Sequence, residues 1–166
     1  MLQPWDSPAI RQHSLLLLHS FHHYLGRPLL PTLAAARPAL AADPEAAEKH
    51  QAQQLFAAPF VVVSHGTEAD PIFNYGNAKA LALWELNWEA FTQLPSRKSA
   101  RGAERPERAE MLAQAKKQGY FEGYVGDRAT SSGKRFRMED GIIWTVINAA
   151  GEVRGQAATF SRYHFL

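Results

Sequence analysis

Chemistry in this chain has to be built without thiols, because its 166 residues include seven histidines and no cysteine. That removes disulfides, thiolate catalysis and Cys-ligated zinc or iron–sulfur sites together. His19 and His23 stand four apart with His22 between them, the spacing at which one helix face presents two imidazoles to a metal. No Glu lies between them in the HExxH manner and no third ligand accompanies them, so a polar helix face is the expected role and no metal site is assigned. Ser64 beside His65 offers a hydroxyl and a base. Neighbours on a strand point to opposite faces, however, so the pair does not assemble a nucleophile and no catalytic residue is assigned.

Other residues suit binding better than catalysis. Trp84 and Trp88, four apart, lie on one face of a helix that also carries Leu81 and Phe91. Such a stripe packs a core. Set against a sheet carrying Trp144 and Phe160, it would also wall an aromatic cavity for a flat apolar ligand, with indole N–H groups as donors. His65, at a strand end, either ties the following turn or faces that cavity. Asn77 either caps the next helix or contacts a ligand, and Asn74 is expected to bond the backbone. Arg128 either joins Asp127, Arg135 and Arg137 in cross-strand pairs or turns inward, where its planar fork matches a carboxylate. The candidate ligand-binding set is therefore His65, Asn77, Trp84, Trp88, Arg128, Trp144 and Phe160.

Arg97, Lys98, Arg101, Arg105 and Arg108 form a basic stretch tempered by Glu104 and Glu107. Basic clusters bind phosphate or nucleic acid. Here no aromatic residues interleave for base stacking, so a solvated, partly ion-paired face is expected and no nucleic-acid partner is assigned. Ser96, Arg97 and Ser99 retain a structural or anion-contacting alternative.

The elements that must position these residues follow from local signals. Ser7 and Pro8 are an N-cap and first helical residue, and the periodic run after them stops at Gly26. Prolines 28, 31, 38 and 44 mark a connector, and Asp43–Pro44 repeats the cap for a helix ending before Pro59. "FVVV" reads as a buried strand, "SHGTEADP" as a turn and "IFNY" as a second short strand. From Asn77, one helix is expected to run to Pro95, and another from about Arg105 to Gly119. "YFEGYVGDRA", "KRFRMEDGIIWTVIN" and "EVRGQAATFSRYHF" read as three strands joined by "TSSG" and "NAAG" turns, an antiparallel meander.

These elements make an α+β fold: a five-stranded antiparallel sheet with helices on one face, plus an N-terminal helical extension. Residues 1–43 form the extension and connector, residues 44–166 the domain. Hydrophobic content of 46% and charged content of 20% are those of a soluble globular chain, and the net charge of +2 is too small to dictate a partner. The apolar run "SLLLLHSF" is far shorter than the ~20 residues a membrane helix needs, and no signal peptide is read. A cytoplasmic protein without membrane association is the expectation.

The order strand, strand, helices, three-strand meander is that of a PAS-type domain. "LFAAPFVVVSHGTEADPIFNYGNAKALALWELNWEAFTQLPSRKSA", "GYFEGYVGDRATSSGKRF" and "GQAATF" resemble the MEKHLA family, a PAS-like domain of bacterial stand-alone proteins and of plant class III homeodomain–leucine zipper transcription factors. The resemblance covers roughly Pro44 to Phe160 and extends more weakly to the first helix, as in the bacterial members. It implies a regulatory or sensory fold with no settled ligand or reaction. No homeodomain or zipper accompanies it, so the plant proteins' DNA binding does not transfer. Lack of cysteine excludes a covalent flavin adduct. Haem-binding PAS domains use a His from the helices before the meander, and Leu81 to Gly119 holds none, so haem is not expected; non-covalent flavin stays open.

The function expected is a non-enzymatic sensory or regulatory module that binds a small apolar or aromatic molecule and signals through a protein partner. Leu15 to Leu18 of the N-terminal helix exceed one stripe, which suits packing on the sheet or on a second copy of the chain, and homodimerisation through this helix is expected with the function. The alternatives are a ligand-free interaction or dimerisation module whose cavity is filled by Trp84, Trp88 and Trp144, and a small enzyme using His65 and Arg128.

Overall fold

The computed structural model describes residues 3–31, 42–99 and 106–166. The connector expected through Pro38 and the basic residues Arg101 and Arg105 lie outside the described residues. A short 3₁₀ turn at Pro4–Asp6 leads into α1 (Pro8–Leu25), where the Ser7 hydroxyl accepts from the Ile10 amide and Gly26 closes the helix at φ 70°. Helix α2 (Pro44–Phe56) begins at Asp43, whose carboxylate accepts from the Ala46 amide. Then follow β1 (Val61–His65), β2 (Phe73–Gly76), α3 (Ala78–Trp84), α4 (Trp88–Phe91) and α5 (Pro106–Gln118). The chain ends in β3 (Tyr120–Ala129), β4 (Arg135–Ile147), β5 (Val153–Phe160) and β6 (Arg162–Phe165).

The sheet is antiparallel with spatial order β2-β1-β5-β4-β3. Strand β6 continues β5 beyond Ser161 and pairs the first half of β4, matching Phe165 to Phe136 and Arg162 to Glu139. The expected fold class stands, and the helical cover is divided. Helices α3 to α5 pack on one face, around Val61, Val63, Phe73, Trp84, Tyr124, Phe136, Ile143 and Phe160. The other face is closed by α1 and α2, which bury Leu17, Phe21 and Leu55 against Val62, Tyr75, Trp144 and Val146.

A crease across three strands decides which residue serves which face. In β4, Phe136 and Met138 point to the α3–α5 side, and strict alternation would send Ile142 and Trp144 there too. Asp140 on β4 adopts φ 52° and Gly123, nearby on β3, φ 83°. The β3–β4 register shifts there, between Glu122 and Tyr124 and again between Tyr124 and Gly126. Past the crease the alternation is inverted, so Ile143 faces α3–α5 while Ile142, Trp144 and Val146 face α1. Gly123 meets the backbone demand without a Cβ penalty, and Asp is among the residues that tolerate it.

One helix did not form as expected. The run from Asn77 towards Pro95 breaks after Trp84, where Glu85 takes φ 60°, and restarts with Asn87 capping α4 through Ala90. The second Asn is a capping signal in mid-pattern, and it overrides the apolar period. Glu85 also accepts from Ser132 and Lys134, which fastens the end of α3 to the β3–β4 turn. Hydrogen bonding to Ser132 holds its carboxyl at about 2, below the ordinary range.

Helix α1 docks through a stripe at three- and four-residue spacing. Leu17 and Phe21 are apolar, and Phe21 meets Trp144 edge-on at 5.0 Å. Two buried polar hooks flank them. The Ser20 hydroxyl accepts from the Ile147 amide at 2.8 Å and donates to its carbonyl at 3.1 Å. His13 Nε2 lies 2.8 Å from Ser64 Oγ, which itself donates to Asn74 Oδ1. With the hydroxyl proton directed to Asn74, His13 must donate to Ser64. Burial pushes the His13 imidazole down to about 4 from 6.5.

Because the folded value lies below the unfolded one, His13 places no load on stability above pH 6.5. As pH falls from 6.5 towards 4, the unfolded chain takes up a proton that the folded chain refuses. Stability should drop across that window by roughly 3 kcal/mol, at ~1.4 kcal/mol per unit. Urea titrations at steps of pH will show the slope, and His13→Gln should flatten it.

Candidate functional site

Between the sheet and α3 to α5 lies a cavity of about 160 Å³. Its apolar wall comes from Val63, Phe73, Trp84, Tyr124, Met138, Ile143, Ala158 and Phe160. Its polar residues are Ser64, His65, Ser96, Ser99, Arg128 and Gln156. Four of the seven residues singled out from the sequence therefore meet here: His65, Trp84, Arg128 and Phe160. Val63 and His65 reach it together because β1 alternates, while Val62 packs towards α1 and the Ser64 hydroxyl bonds to His13 of that helix.

The other three lie elsewhere. Asn77 is fully buried and its amide makes four hydrogen bonds. Its oxygen accepts from the Val62 and Ala80 amides, both at 3.1 Å, and its nitrogen donates to the Phe60 and Leu55 carbonyls at 2.8 and 3.3 Å. That exhausts the bonding capacity of an Asn side chain. Trp88 starts α4 and packs on the α1 side, edge-on to Tyr75 at 5.7 Å and near Phe56. Trp144 lies on that side too, beyond the crease. The three indoles do not share one cavity, so the expectation that Trp84, Trp88 and Trp144 together wall or fill it is corrected. The break after Trp84 separates the first two, and the inverted alternation removes the third.

Trp84 is the centre of the cavity-side core, with Phe73, Phe91, Phe136 and Phe160 around its ring and the nearest centroid, that of Phe136, at 5.4 Å. Its indole N–H is buried and has no hydrogen-bond partner among the described residues. His65 Nδ1 lies 2.9 Å from the Gly66 carbonyl, an acceptor only, so Nδ1 carries the proton and Nε2 is left to the cavity side.

Arg128 is half-buried. It donates to the Asp127 carbonyl at 2.9 Å and to the Tyr124 hydroxyl at 3.1 Å, with its guanidinium 5.8 Å from the centroid of that ring. A Cβ on Gly126 would lie 2.8 Å from the Tyr124 ring and 3.1 Å from Arg128 Nη1, so the missing side chain is what lets the two meet across one strand position. Arg128 meets Asp127 through that residue's backbone carbonyl, and the Asp127 carboxylate has another partner. It is taken by Arg137 through two bonds of 2.7 and 3.1 Å. Sequence reasoning left open whether Arg128 joins the cross-strand pairs or turns inward, and it did not foresee Tyr124. The alternate-position pattern Tyr-x-Gly-x-Arg in β3 was the available signal.

The His-rich face of α1 is elsewhere again: His19 and His23 have ring centroids 6.4 Å apart, with both residues exposed. Among the described residues no group of three or more His, Asp or Glu is placed to hold a metal, and no helix is long and apolar enough to cross a membrane. In the basic stretch, Arg97 pairs with Asp70 at 3.0 Å on the surface.

A sheet of this order with helices enclosing a pocket on one face can be compared with known proteins. The MEKHLA domain model matches residues 11–165. The chain belongs to the MEKHLA domain family. The match begins within α1, so most of that helix falls inside it. Among solved structures, the MEKHLA domain resembles a light-oxygen-voltage domain studied with a flavin analogue, at TM-score 0.52 and 15% identity over 69% of this chain and 82% of the other. A PAS domain from Colwellia psychrerythraea matches at TM-score 0.55 and 12% identity, over 71% and 95% of the two chains. An RNA-binding light-oxygen-voltage receptor matches at TM-score 0.55 and 15% identity over 65% of this chain and 30% of its own. At such identities the likeness establishes a PAS-like fold. A comparison with curated protein sequences finds no match.

Two substitutions separate site from frame. Trp84→Ala removes the centre of an aromatic cluster and should cost about 3–5 kcal/mol in urea unfolding. Asn77→Ala, far smaller in volume lost, should still cost roughly 3 kcal/mol, because it strands buried amide and carbonyl groups and removes the α3 cap. A cost near zero for Asn77→Ala would contradict its place as a node of the frame.

Proposed function

We propose that this MEKHLA domain is a non-enzymatic sensory module that holds a small, largely apolar molecule in the cavity between the sheet and α3 to α5, and passes its occupancy to a protein partner. The observation that carries this reading is the cavity's composition: an aromatic and aliphatic wall with a few convergent polar groups, His65, Arg128 and Gln156, and an indole N–H left unpartnered at Trp84. The family membership and PAS-like fold agree with such a role. Catalysis is not favoured by the arrangement. The Ser64 hydroxyl is engaged with His13 and Asn74, the Ser99 hydroxyl donates to the Ser96 carbonyl, and among the described residues no hydroxyl is hydrogen-bonded to His65, so no activated nucleophile is assembled.

Ligand size follows from the volume. About 160 Å³ is close to the ~150 Å³ of a cavity that admits benzene, and below the ~300–1,000 Å³ typical of drug-sized ligands. The three fused rings of a flavin exceed it, and the chain supplies no cysteine for an adduct. The residues present therefore do not fit a flavin, although structural neighbours include light-oxygen-voltage proteins.

For a partner, Tyr163 and Phe165 on β6 and the terminal Leu166 present apolar side chains to solvent beside Phe136. Helix α1 packs on the sheet through Leu17 and Phe21, one of the two uses expected for its apolar residues. Self-association through α1 would use its outer face, which carries His19, His22 and His23.

Native mass spectrometry of the protein as purified tests the reading. We expect an adduct of one ligand per chain, lost in Ala158→Leu, whose added carbons enter the cavity from β5 while the fold, checked by circular dichroism, is kept. A bare mass for the wild type, together with no ligand recovered from a fragment screen by NMR, would sink it.

A further inference from the structure

We infer that the cavity's ligand is a carboxylate: a small monocarboxylic acid with an aromatic or branched apolar tail, its head held by Arg128. This rests on the binding reading above and names the chemistry of the same site. Three observations converge on it. Arg128 is a half-buried cation at the cavity, and among the described residues no carboxylate pairs with it. The acid beside it in sequence, Asp127, is bound at both oxygens by Arg137, and strand alternation puts that pair on the opposite side of the sheet. Among the described residues no Asp or Glu lines the cavity, so its lining there is a cation with polar groups around it and no anion.

The guanidinium is also preoriented. Its bonds to the Asp127 carbonyl and the Tyr124 hydroxyl use one hydrogen on each terminal nitrogen. Nε–H and the second hydrogen of each terminal nitrogen stay unused, a fork of the kind that matches a carboxylate in two parallel bonds. Leaving a half-buried arginine without a counter-ion is costly, and a ligand anion would relieve it. Much of the remaining wall is apolar, formed by Val63, Phe73, Trp84, Ile143 and Phe160, which favours an apolar tail over a second charged group. A volume near that of benzene leaves room for one ring or one branched chain.

Benzoate and its neutral isostere benzamide test the proposal, titrated by NMR or calorimetry into the full chain and two variants. Wild type should bind benzoate about tenfold or more tightly than benzamide, the discrimination expected of a charge-assisted bidentate pair. In Arg128→Gln that preference should collapse to near unity while benzamide affinity is unchanged, which also shows that the cavity has folded. Gly126→Ala, which keeps the charge but pushes against the Tyr124 ring and the guanidinium, should reduce the preference in the same way. A benzoate preference that survives in Arg128→Gln would overturn the carboxylate assignment and leave the cavity reading in place. If neither probe shifts the resonances of wild-type cavity residues, both readings fall.

Discussion

The frame of this domain hangs on one buried amide. Asn77 sits where α2 ends, β1 begins, β2 finishes and α3 starts, and its four side-chain bonds reach each of these places but β2, which its own backbone leaves. Its backbone N–H adds a bond to the Val62 carbonyl. No other residue type offers two acceptor sites and two donors at that distance from the backbone. With Asn77 in place, Val63, Phe73 and Trp84 stand on three walls of one cavity. The residue acts on the site by holding its walls and by touching nothing inside.

The second constraint is the crease at Gly123, Asp140 and Ser161. A flat sheet with unbroken alternation would send Trp144 and Phe136 to the same side and load one face with aromatic groups. The inverted pleat divides them. Trp84 gathers Phe73, Phe91, Phe136 and Phe160 around the cavity, while Trp144 receives Phe21 from α1. Each face is thereby supplied with its own aromatic anchor, and the N-terminal helix becomes part of the sheet's packing.

Strand β1 is read from both sides. Val63 and His65 belong to the cavity, Val62 and Ser64 to the α1 interface, and the two sets alternate along five residues. The hydroxyl of Ser64 is held between His13 and Asn74 one side chain away from His65. A change in the position of β1 would therefore be felt on both faces of the sheet, which places α1 in mechanical contact with the binding side.

Much of this was legible in the chain itself. The caps at Ser7, Asp43 and Asn77, the breaks at Gly26 and Pro59, the β-branched run at Val61 to Val63 and the hairpin turns are local signals, decided within a few residues of themselves, and they place the elements and the PAS-like order. His65, Trp84, Arg128 and Phe160 could be picked because strand alternation and residue chemistry are also local. What lay beyond reach were the long-range decisions. Whether Trp84 and Trp88 share a face depends on Glu85 turning to meet Ser132 and Lys134 on a distant hairpin, and which face Trp144 takes depends on backbone angles at Asp140 that only the pairing of β3, β4 and β6 makes worthwhile. The same holds for Arg128. Its residue type suggests an anion, but that no described acid pairs with it follows from where the folded sheet sends Asp127 and Arg137.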